Sequence, residues 1–275
     1  HVLLGYDLLY LLRGAPVVYY GDEVGMIGTG GDQAARQDMF PTQVPDWQTQ
    51  PRVGSPPIGT GSSFDVTDNP IELELKQLAA LRDQNAALST GATIVRVAKG
   101  GLLAISRIDA AGRREYLELF NNGVTPATAT VSTATPSSTW TSLLGGATGV
   151  TSNAAGTVTV QVPAVGALLL RADAQIPVAP VAKPKLTVAG DTLSSLWAVS
   201  ATVPGRAPVT VAFAVRRAGS STWKRLDVDD SPPYRAFLDP AQYTKNERVS
   251  LVAIARGLDG SVAVSAVTPF RVRAR

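Results

Sequence analysis

The residue types that carry most enzyme chemistry are nearly absent from this sequence. Its 275 residues include no cysteine and one histidine, His1, at the very start. Without cysteine there is no thiol nucleophile, no disulfide framework and no thiolate metal site. A single terminal histidine also excludes a histidine-based triad and a zinc site built from imidazoles. Carboxyl groups are therefore considered next.

Four carboxylates near the N-terminal end are the first candidates, and none suits acid–base catalysis. Asp22 and Glu23 follow the apolar run Pro16–Tyr20. Neighbouring side chains that leave a strand point to opposite faces, so these two cannot flank one bond. We expect them to hold loop backbone or to pair with an arginine. Asp32 and Asp38 lie in a loop with nothing to raise a pKa, so the sequence assigns no catalytic residue and no metal ligand.

The segment from Val24 to about Asn69 offers side chains suited to binding a ligand. It has no sustained periodicity, and so long an irregular stretch in a compact domain is usually functional. Arg36 can hydrogen-bond hydroxyl groups or a carboxylate. Phe40 and Trp47 can stack on the face of a ring. The structural alternatives stay open: an ion pair for Arg36, and covering of the core for the two aromatic residues.

Local patterns predict how these residues are positioned. Leucines at helical spacing indicate a helix over residues 2–13, and Pro16–Tyr20 is typical of a buried strand. Helix and buried strand in succession form an α/β unit. A second helix should begin at Pro70, with Asn69 as its N-cap, and should end near Leu88.

Two regions of short alternating runs follow, and both predict antiparallel β-sandwiches. In the first region the predicted strands cover residues 94–97, 102–108, 115–120, 128–132, 157–162 and 166–170. In the second they cover residues 196–203, 210–216, 248–255 and 262–267. We therefore predict a mainly β chain with four parts: an α/β part (1–90), a β-sandwich (91–173), a Pro-rich extended linker (174–185) and an immunoglobulin- or fibronectin-like module (186–275).

Charge is distributed unevenly along the chain. The net charge is +3, yet the residues from Lys183 onward carry 14 Lys/Arg and 7 Asp/Glu, a net of +7, which leaves −4 for the remainder. The basic end could contact an anionic cell surface or nucleic acid, but its charges are scattered, which favours an ordinary solvated face. We expect no nucleic-acid partner. No apolar run approaches the ~18 residues of a membrane span, and no signal peptide is visible.

Residues Gly14–Glu23 read Gly-Ala-Pro, an apolar run, Tyr-Gly and two acids. This pattern resembles the eighth barrel strand of the alpha-amylase family of glycoside hydrolases. The segment Gly30–Phe40, with Arg36 and Met39, looks like the loop after that strand. Residues 78–88 are similar to the last barrel helix. The features of the following region that match the family's C-terminal β domain are Tyr116, Asn121, Trp140 and Pro163–Gly166.

The resemblance implies a (β/α)₈ barrel with its site at the C-terminal ends of the strands. The segment from Val24 leaves the eighth strand on that side, so the resemblance makes Arg36, Phe40 and Trp47 candidate contacts to a sugar. Arg36 would bind sugar hydroxyls, and the two rings would stack on the apolar face of a sugar ring.

The resemblance also implies a retaining mechanism with two carboxyl groups about 5 Å apart. In the family these stand on the fourth and fifth strands, with a third acid after the seventh, and no position here matches them. We therefore expect the C-terminal part of a secreted hydrolase of starch-like α-glucans, inactive alone, with the signal peptide and the catalytic carboxylates upstream.

Several points stay open at this level. Hydrolysis of α-1,4 and α-1,6 linkages is not distinguished, and no cofactor is expected, although calcium in the parent enzyme is left open. The competing function is a non-enzymatic pair of modules that binds polysaccharide or a cell surface, for which Trp223 is the candidate sugar platform, whereas Trp197 is expected in the core. Self-association through the Leu4/Leu8/Leu11 face of the first helix is a further expectation.

Overall fold

The computed structural model describes residues 1–59, 69–190 and 193–273. These residues are mainly β, which confirms the predicted fold class. The last part of the long irregular segment, residues 60–68, lies outside the described residues, as do residues 191–192 and 274–275 of the last module. The α-helices are α1 (Val2–Leu11), α2 (Pro45–Thr49), α3 (Pro70–Gln84) and α4 (Ala87–Thr90).

Helix α3 begins where the sequence predicts. The side-chain oxygen of Asn69 accepts a hydrogen bond from the Ile71 amide (2.8 Å), and Pro70 occupies the first turn. This cap satisfies an amide that has no partner inside the helix. The helix ends at Gln84, before the predicted end near Leu88, and a separate short helix, α4, covers Ala87–Thr90.

Helix α1 packs on α3 and on the first sheet. Leu4 and Leu11 are buried in a core shared with these elements. The guanidinium of Arg82, on α3, lies at the C-terminal end of α1. It donates hydrogen bonds to the carbonyl groups of Tyr10 and Gly14. A cation at a helix C-terminus also complements the helix dipole. The face that we expected to be free for self-association is therefore largely covered by this chain itself.

The predicted strand at Pro16–Tyr20 does not form. The run is irregular, and Val17 and Tyr19 are 77% and 63% exposed. A parallel strand needs neighbouring strands for its backbone groups and covered faces for its side chains. Within the described residues no strand lies beside this run, so the apolar pattern alone does not produce a strand.

The first sandwich is an antiparallel structure of seven strands. They are β1 (Ala92–Lys99), β2 (Leu102–Asp109), β3 (Arg114–Asn121), β4 (Ala127–Ser132), β5 (Trp140–Leu144), β6 (Thr157–Val162) and β7 (Gly166–Ala172). Five form a sheet in the order β1-β2-β3-β7-β5, and β4 pairs with β6. Strand β5 is missing from the sequence prediction.

Strand β3 lies in the middle of this region and is buried on both faces. Leu117 and Leu119 face the β4–β6 pair, whereas Tyr116 and Phe120 face the helices. This alternation follows from the two-residue period of a strand. The five-stranded sheet thus forms the middle layer between the helices and the smaller sheet.

The Pro-rich segment is attached at both ends. It contains no helix or strand from residue 174 to residue 184, and β8 begins at Lys185. Ile176 is fully buried, and its amide donates to the carbonyl of Arg113 (2.7 Å). The Val181 amide donates to Ser261 Oγ in the last module (3.1 Å). These contacts hold the segment against both neighbours.

The last module is a second antiparallel sandwich. Its strands are β8 (Lys185–Gly190), β9 (Trp197–Thr202), β10 (Val209–Arg217), β11 (Lys224–Asp229), β12 (Tyr234–Leu238), β13 (Arg248–Gly257), β14 (Val262–Val264) and β15 (Thr268–Arg271). One sheet has the order β12-β9-β8. The other has the order β11-β10-β13-β14, and β15 also pairs with β13. The immunoglobulin- or fibronectin-like assignment stays a prediction.

Polar contacts join the last module to the N-terminal part. Ser231 Oγ accepts hydrogen bonds from the Thr93 amide (2.9 Å) and from Arg13 (3.3 Å). Arg13 also lies 3.6 Å from the Asp230 carboxylate. Ser231 therefore connects the end of α1, the start of the first sandwich and the last module.

Candidate functional site

The turn after the Gly14–Glu23 motif is built around two left-handed glycines, Gly21 and Gly25. Between them, Asp22 accepts a hydrogen bond from the Tyr19 amide (3.4 Å) and Glu23 accepts one from the Gly21 amide (2.9 Å). Both carboxylates thus hold loop backbone, the structural alternative expected from the sequence.

Asp22 also binds helix α1. It accepts a hydrogen bond from the hydroxyl of Tyr6. The pKa of that hydroxyl is raised, mainly because it is partly buried and also because the negative charge of Asp22 is close. The turn is thereby fixed to the helix that precedes it, so the start of the long segment has a defined position.

Gly25 is required by a close backbone contact. A Cβ atom at this position would lie 2.1 Å from the carbonyl oxygen of Val53. The same two residues are joined by a hydrogen bond from the Val53 amide to the Gly25 carbonyl (2.8 Å). The segment from 26 to 52 is therefore a closed loop whose ends meet at this pair. Asn69 adds a second tie, because its amide donates to the Val53 carbonyl (3.1 Å).

Polar side chains fill the interior of this loop. Gln37 and Thr42 are buried, and Gln37 donates to Gln50, which donates in turn to Thr29 Oγ1 (2.6 Å). Gln48 donates to the Thr42 carbonyl (2.8 Å). Buried polar groups are stable only when they are paired in this way. The loop is thus held by its own hydrogen bonds rather than by an apolar core.

The three predicted sugar contacts lie on this loop but are not joined to one another. Arg36 forms an exposed ion pair with Asp32, both contacts being 3.1 Å. Phe40 is 66% exposed, and Trp47 is half-buried in α2. Among the residues described, no hydrogen bond, ion pair or ring contact connects any two of Arg36, Phe40 and Trp47. Their role in binding stays a prediction.

A pair of carboxyl groups that the sequence reading missed lies between α1 and α3. Asp7 is 6% exposed and shares a hydrogen bond with Glu74. Burial, together with the negative charge of Glu74, raises the pKa of Asp7 to about 7. Two carboxyl groups can share a hydrogen bond only when one is protonated. Asp7 is the only charged residue of α1. A single carboxyl group in an apolar helix was the signal in the sequence that could have indicated this buried pair.

Glu118 and Arg107 form a second buried charged pair on the helix-facing side of the first sheet. Both side chains are fully buried, and their nearest charged atoms are 3.9 Å apart. Arg107 donates to the carbonyl groups of Ala87 and Leu88 and to Thr93 Oγ1 (2.8 Å). The Glu118 oxygens, in contrast, have no hydrogen-bond partner in the described part of the chain. Burial raises the pKa of Glu118 to about 8.

The tryptophans of the last module are engaged in contacts. Trp197 packs edge-on against Phe270, with ring centroids 5.0 Å apart, and its indole N–H donates to the Arg273 carbonyl. Trp223 is half-buried, and the guanidinium of Arg216 lies 4.7 Å from its ring centroid. One face of the candidate sugar platform is therefore covered.

A cavity of about 360 Å³ at the junction of the modules is bounded by the Pro-rich segment and by the residue runs 154–156 and 203–207. Its lining includes none of Arg36, Phe40 and Trp47. Within residues 1–59, 69–190 and 193–273, no three His, Cys, Asp or Glu side chains cluster as metal ligands would. In the same residues no helix is long and apolar enough to cross a membrane.

Comparisons with known proteins give the following similarities. No protein-family model matches the chain. It is 36% identical over 236 residues to an alpha-amylase of Streptomyces lividans, a match that covers 84% of this chain and 25% of that protein. The crystal structure of an Anoxybacillus alpha-amylase is 19% identical with a TM-score of 0.49, over 64% of this chain and 33% of that one. The structure of the native debranching enzyme of Nostoc punctiforme is 27% identical with a TM-score of 0.43, over 62% of this chain and 30% of that one. The chain spans about a quarter of the length of the curated relative that it matches.

Proposed function

Because this chain belongs to the alpha-amylase family of glycoside hydrolases, we propose that it is the C-terminal part of a secreted enzyme that hydrolyses α-glucosidic bonds of starch-like polysaccharides. The observation that carries the proposal is the 36% identity to an alpha-amylase over 84% of the chain. That share exceeds the part before the Pro-rich segment, so the match extends into the last module. The Gly14–Glu23 motif supports the same assignment from the residues themselves.

The proposed reaction is hydrolysis with retention of configuration. It needs a carboxylate nucleophile and a carboxylic acid about 5 Å apart on either side of the bond that is cut. Asp22 and Glu23 bind loop backbone, and Asp7 and Glu74 meet inside a helix–helix contact. Neither pair is arranged to flank a sugar. We therefore assign the nucleophile and the acid to parts of the enzyme outside this chain, and we expect the 275-residue chain alone to be inactive.

The role proposed for this chain is to shape one wall of the substrate site. The loop closed by Gly25 and Val53 follows the motif that ends the eighth barrel strand in the family, and barrel sites lie at that end of the strands. Phe40 presents an exposed ring, and Arg36 is exposed with its ion pair to Asp32 on the surface. Such groups can stack on a sugar and bind its hydroxyls without participating in bond cleavage.

The experiment compares the 275-residue chain with the product of the complete gene, both incubated with soluble starch. We expect reducing sugar from the complete product only, and proton NMR of the first product should show the α-anomer. Release of reducing sugar by the chain alone would contradict the assignment of the carboxylates. A complete product that is inactive on starch, pullulan and maltooligosaccharides would overturn the proposed function.

Secretion is part of the proposal and has its own test. Expression of the complete gene in its host should place the enzyme in the culture medium, with an N-terminal segment removed, as expected for a signal peptide. An enzyme that stays in the cytoplasm with an intact N-terminus would contradict this part alone.

A further inference from the structure

Four arginines of the last module lie on one face of its larger sheet, one on each of four neighbouring strands. They are Arg225 on β11, Arg216 on β10, Arg248 on β13 and Arg271 on β15. We call this set the arginine band. These four strands lie side by side in the order β11-β10-β13-β15, because β15 pairs with the end of β13 that contains Arg248.

The strand register places all four side chains on the outer face. Arg248 is directly opposite Arg271, and Arg216 is opposite Ser250, two residues further along β13. Arg225 is opposite Ala214, which lies two residues from Arg216 along β10. The alternate positions Phe213, Val215, Val249 and Leu251 are buried in the core. Since side chains alternate between the faces of a sheet, the arginines point away from the core.

No acidic side chain neutralises the band. The outward positions of β10, β11, β13, β14 and β15 include no Asp or Glu. The adjacent Arg217 provides a contrast, because it points the other way and pairs with Glu247 at 2.7 Å. In the described residues none of the four band arginines has an ion pair, and Arg225, Arg248 and Arg271 are exposed. Unpaired charges on one face create a local positive potential.

The band is also clear of the rest of the chain. Strand β10 starts at Val209, beside the junction with the first sandwich, and ends at Arg217, near the band. Opposite residues of adjacent strands are about 5 Å apart and diagonal neighbours about 8 Å, so the four arginines extend over about 20 Å. This spacing suits a linear polymer that carries an anionic group about every 8 Å.

We propose that the arginine band binds an anionic polysaccharide, through its carboxylate, sulfate or phosphate groups, and so attaches the protein to an acidic surface polymer. Guanidinium groups bind all three anions through paired hydrogen bonds. Binding of single-stranded nucleic acid without sequence preference usually adds aromatic rings that stack on bases. The aromatic ring beside the band, Trp223, already has Arg216 on one face. The face thus offers charge without a base-stacking platform, which favours a glycan.

The test measures binding of the full chain to fluorescently labelled polygalacturonate and dextran sulfate at ionic strengths of about 0.05 and 0.3 M. Plain dextran is the neutral probe, and duplex DNA is the probe for the other class of polyanion. The variant Arg225→Gln/Arg248→Gln/Arg271→Gln removes three exposed charges of the band. The variant Lys183→Gln/Lys185→Gln/Arg235→Gln removes three exposed charges away from the band and is the matched control.

We expect the wild type and the control to bind at least one anionic polysaccharide at low salt, more weakly at high salt, and plain dextran not at all. The band variant should lose about tenfold or more in affinity because the local field is gone. Equal losses in both variants would overturn the proposal, and so would absence of binding by the wild type or a preference for DNA. If the triple variant does not fold, Arg248→Gln and Arg271→Gln are compared singly with Arg235→Gln. The assay needs no glycosidase activity, so its failure is separate from failure of the proposed function.

Discussion

Glu118 provides a sharp test of the energetics of the first sandwich. Its carboxyl group is fully buried on the helix-facing side of β3 and has no hydrogen-bond partner among the described residues. Arg107 Nε is 3.9 Å away, too far for a hydrogen bond, and that guanidinium is already bound to two carbonyl groups and to Thr93. Burial therefore outweighs the attraction of the cation and raises the pKa of Glu118 to about 8.

The sign of the pH effect follows from the direction of this shift. A carboxyl group whose pKa is higher in the folded state favours folding when it is protonated, and this stability is lost as pH rises from the unfolded pKa through the folded one. Because the pKa of Glu118 is raised from its ordinary value to about 8, the free energy of unfolding should fall by about 3 kcal/mol between pH 5.5 and pH 8.5. Gln cannot ionise, so Glu118→Gln should remove this part of the pH dependence.

The measurement is urea unfolding at pH 5.5 and 8.5, followed by tryptophan fluorescence. As the pH rises from 5.5 to 8.5, we expect the free energy of unfolding of Glu118→Gln to increase by about 3 kcal/mol relative to that of the wild type. Asp7 also titrates in this range, but it is present in both proteins and cancels in the difference. If the difference between variant and wild type is the same at both pH values, Glu118 does not titrate as argued and the reasoning is refuted.

Glu115, on the same strand, is the control with the opposite expectation. Its carboxylate is fully buried but accepts hydrogen bonds from Arg96 (3.0 Å), Ser106 (2.6 Å), the Ala134 amide (2.7 Å) and Thr135 (2.9 Å). Glu115→Gln replaces an acceptor with a donor in this network. The change should destabilise the protein by about 2 kcal/mol, because bonds to a charged group are lost.

Three further predictions concern the loop and its attachment. Asn69→Ala removes the cap of α3 and the bond to Val53, and should lower the free energy of unfolding by about 1–2 kcal/mol in urea titrations; an unchanged midpoint would contradict the role of the cap. Gly25→Ala places a Cβ against the Val53 carbonyl and should open the loop, seen as faster proteolysis within residues 26–52, whereas Gly146→Ala, with free space around it, should not affect that loop. In the complete enzyme, Phe40→Ala should raise KM for starch severalfold with little change in kcat, because stacking that is equal in ground and transition states affects binding alone; an unchanged KM would remove Phe40 from the site.

The features that the sequence predicted well are those set by local chemistry. The start of α3 follows from Asn69 and Pro70, since capping depends only on adjacent residues. Most strands of the first sandwich follow from alternation with a two-residue period. Strand β5 was missed because it is short and its five residues, Trp140–Leu144, do not alternate between apolar and polar types. In the last module, β8, β11, β12 and β15 were missed as well. Charged residues in β11 and the two prolines between β11 and β12 mask the pattern there.

The buried polar pairs could not be predicted from the sequence, because each pair joins residues that come together only in the folded chain. Asp7 and Glu74 meet only because α1 docks on α3, and Glu118 faces Arg107 only through the β2–β3 register. The arginine band likewise needs the pairing of four strands; the sequence revealed the basic end of the chain but not that four of its charges share one face. The predicted site residues Arg36, Phe40 and Trp47 belong to one loop, and their use by a sugar depends on the rest of the enzyme.

The N-terminal part shows why an apolar run can be helix, strand or neither. Helix α1 is apolar nearly all round and is ordered because α3 and the first sheet cover Leu4 and Leu11. The run Pro16–Tyr20 is equally apolar but has no strand beside it in the described part of the chain, and Val17 and Tyr19 remain exposed. Under the proposed function, the neighbouring barrel strands supply the missing hydrogen bonds and cover these side chains. In the 275-residue chain, Val17 and Tyr19 are then among the exposed apolar groups through which we expect self-association, because Leu4 and Leu11 on α1 are buried within the chain itself.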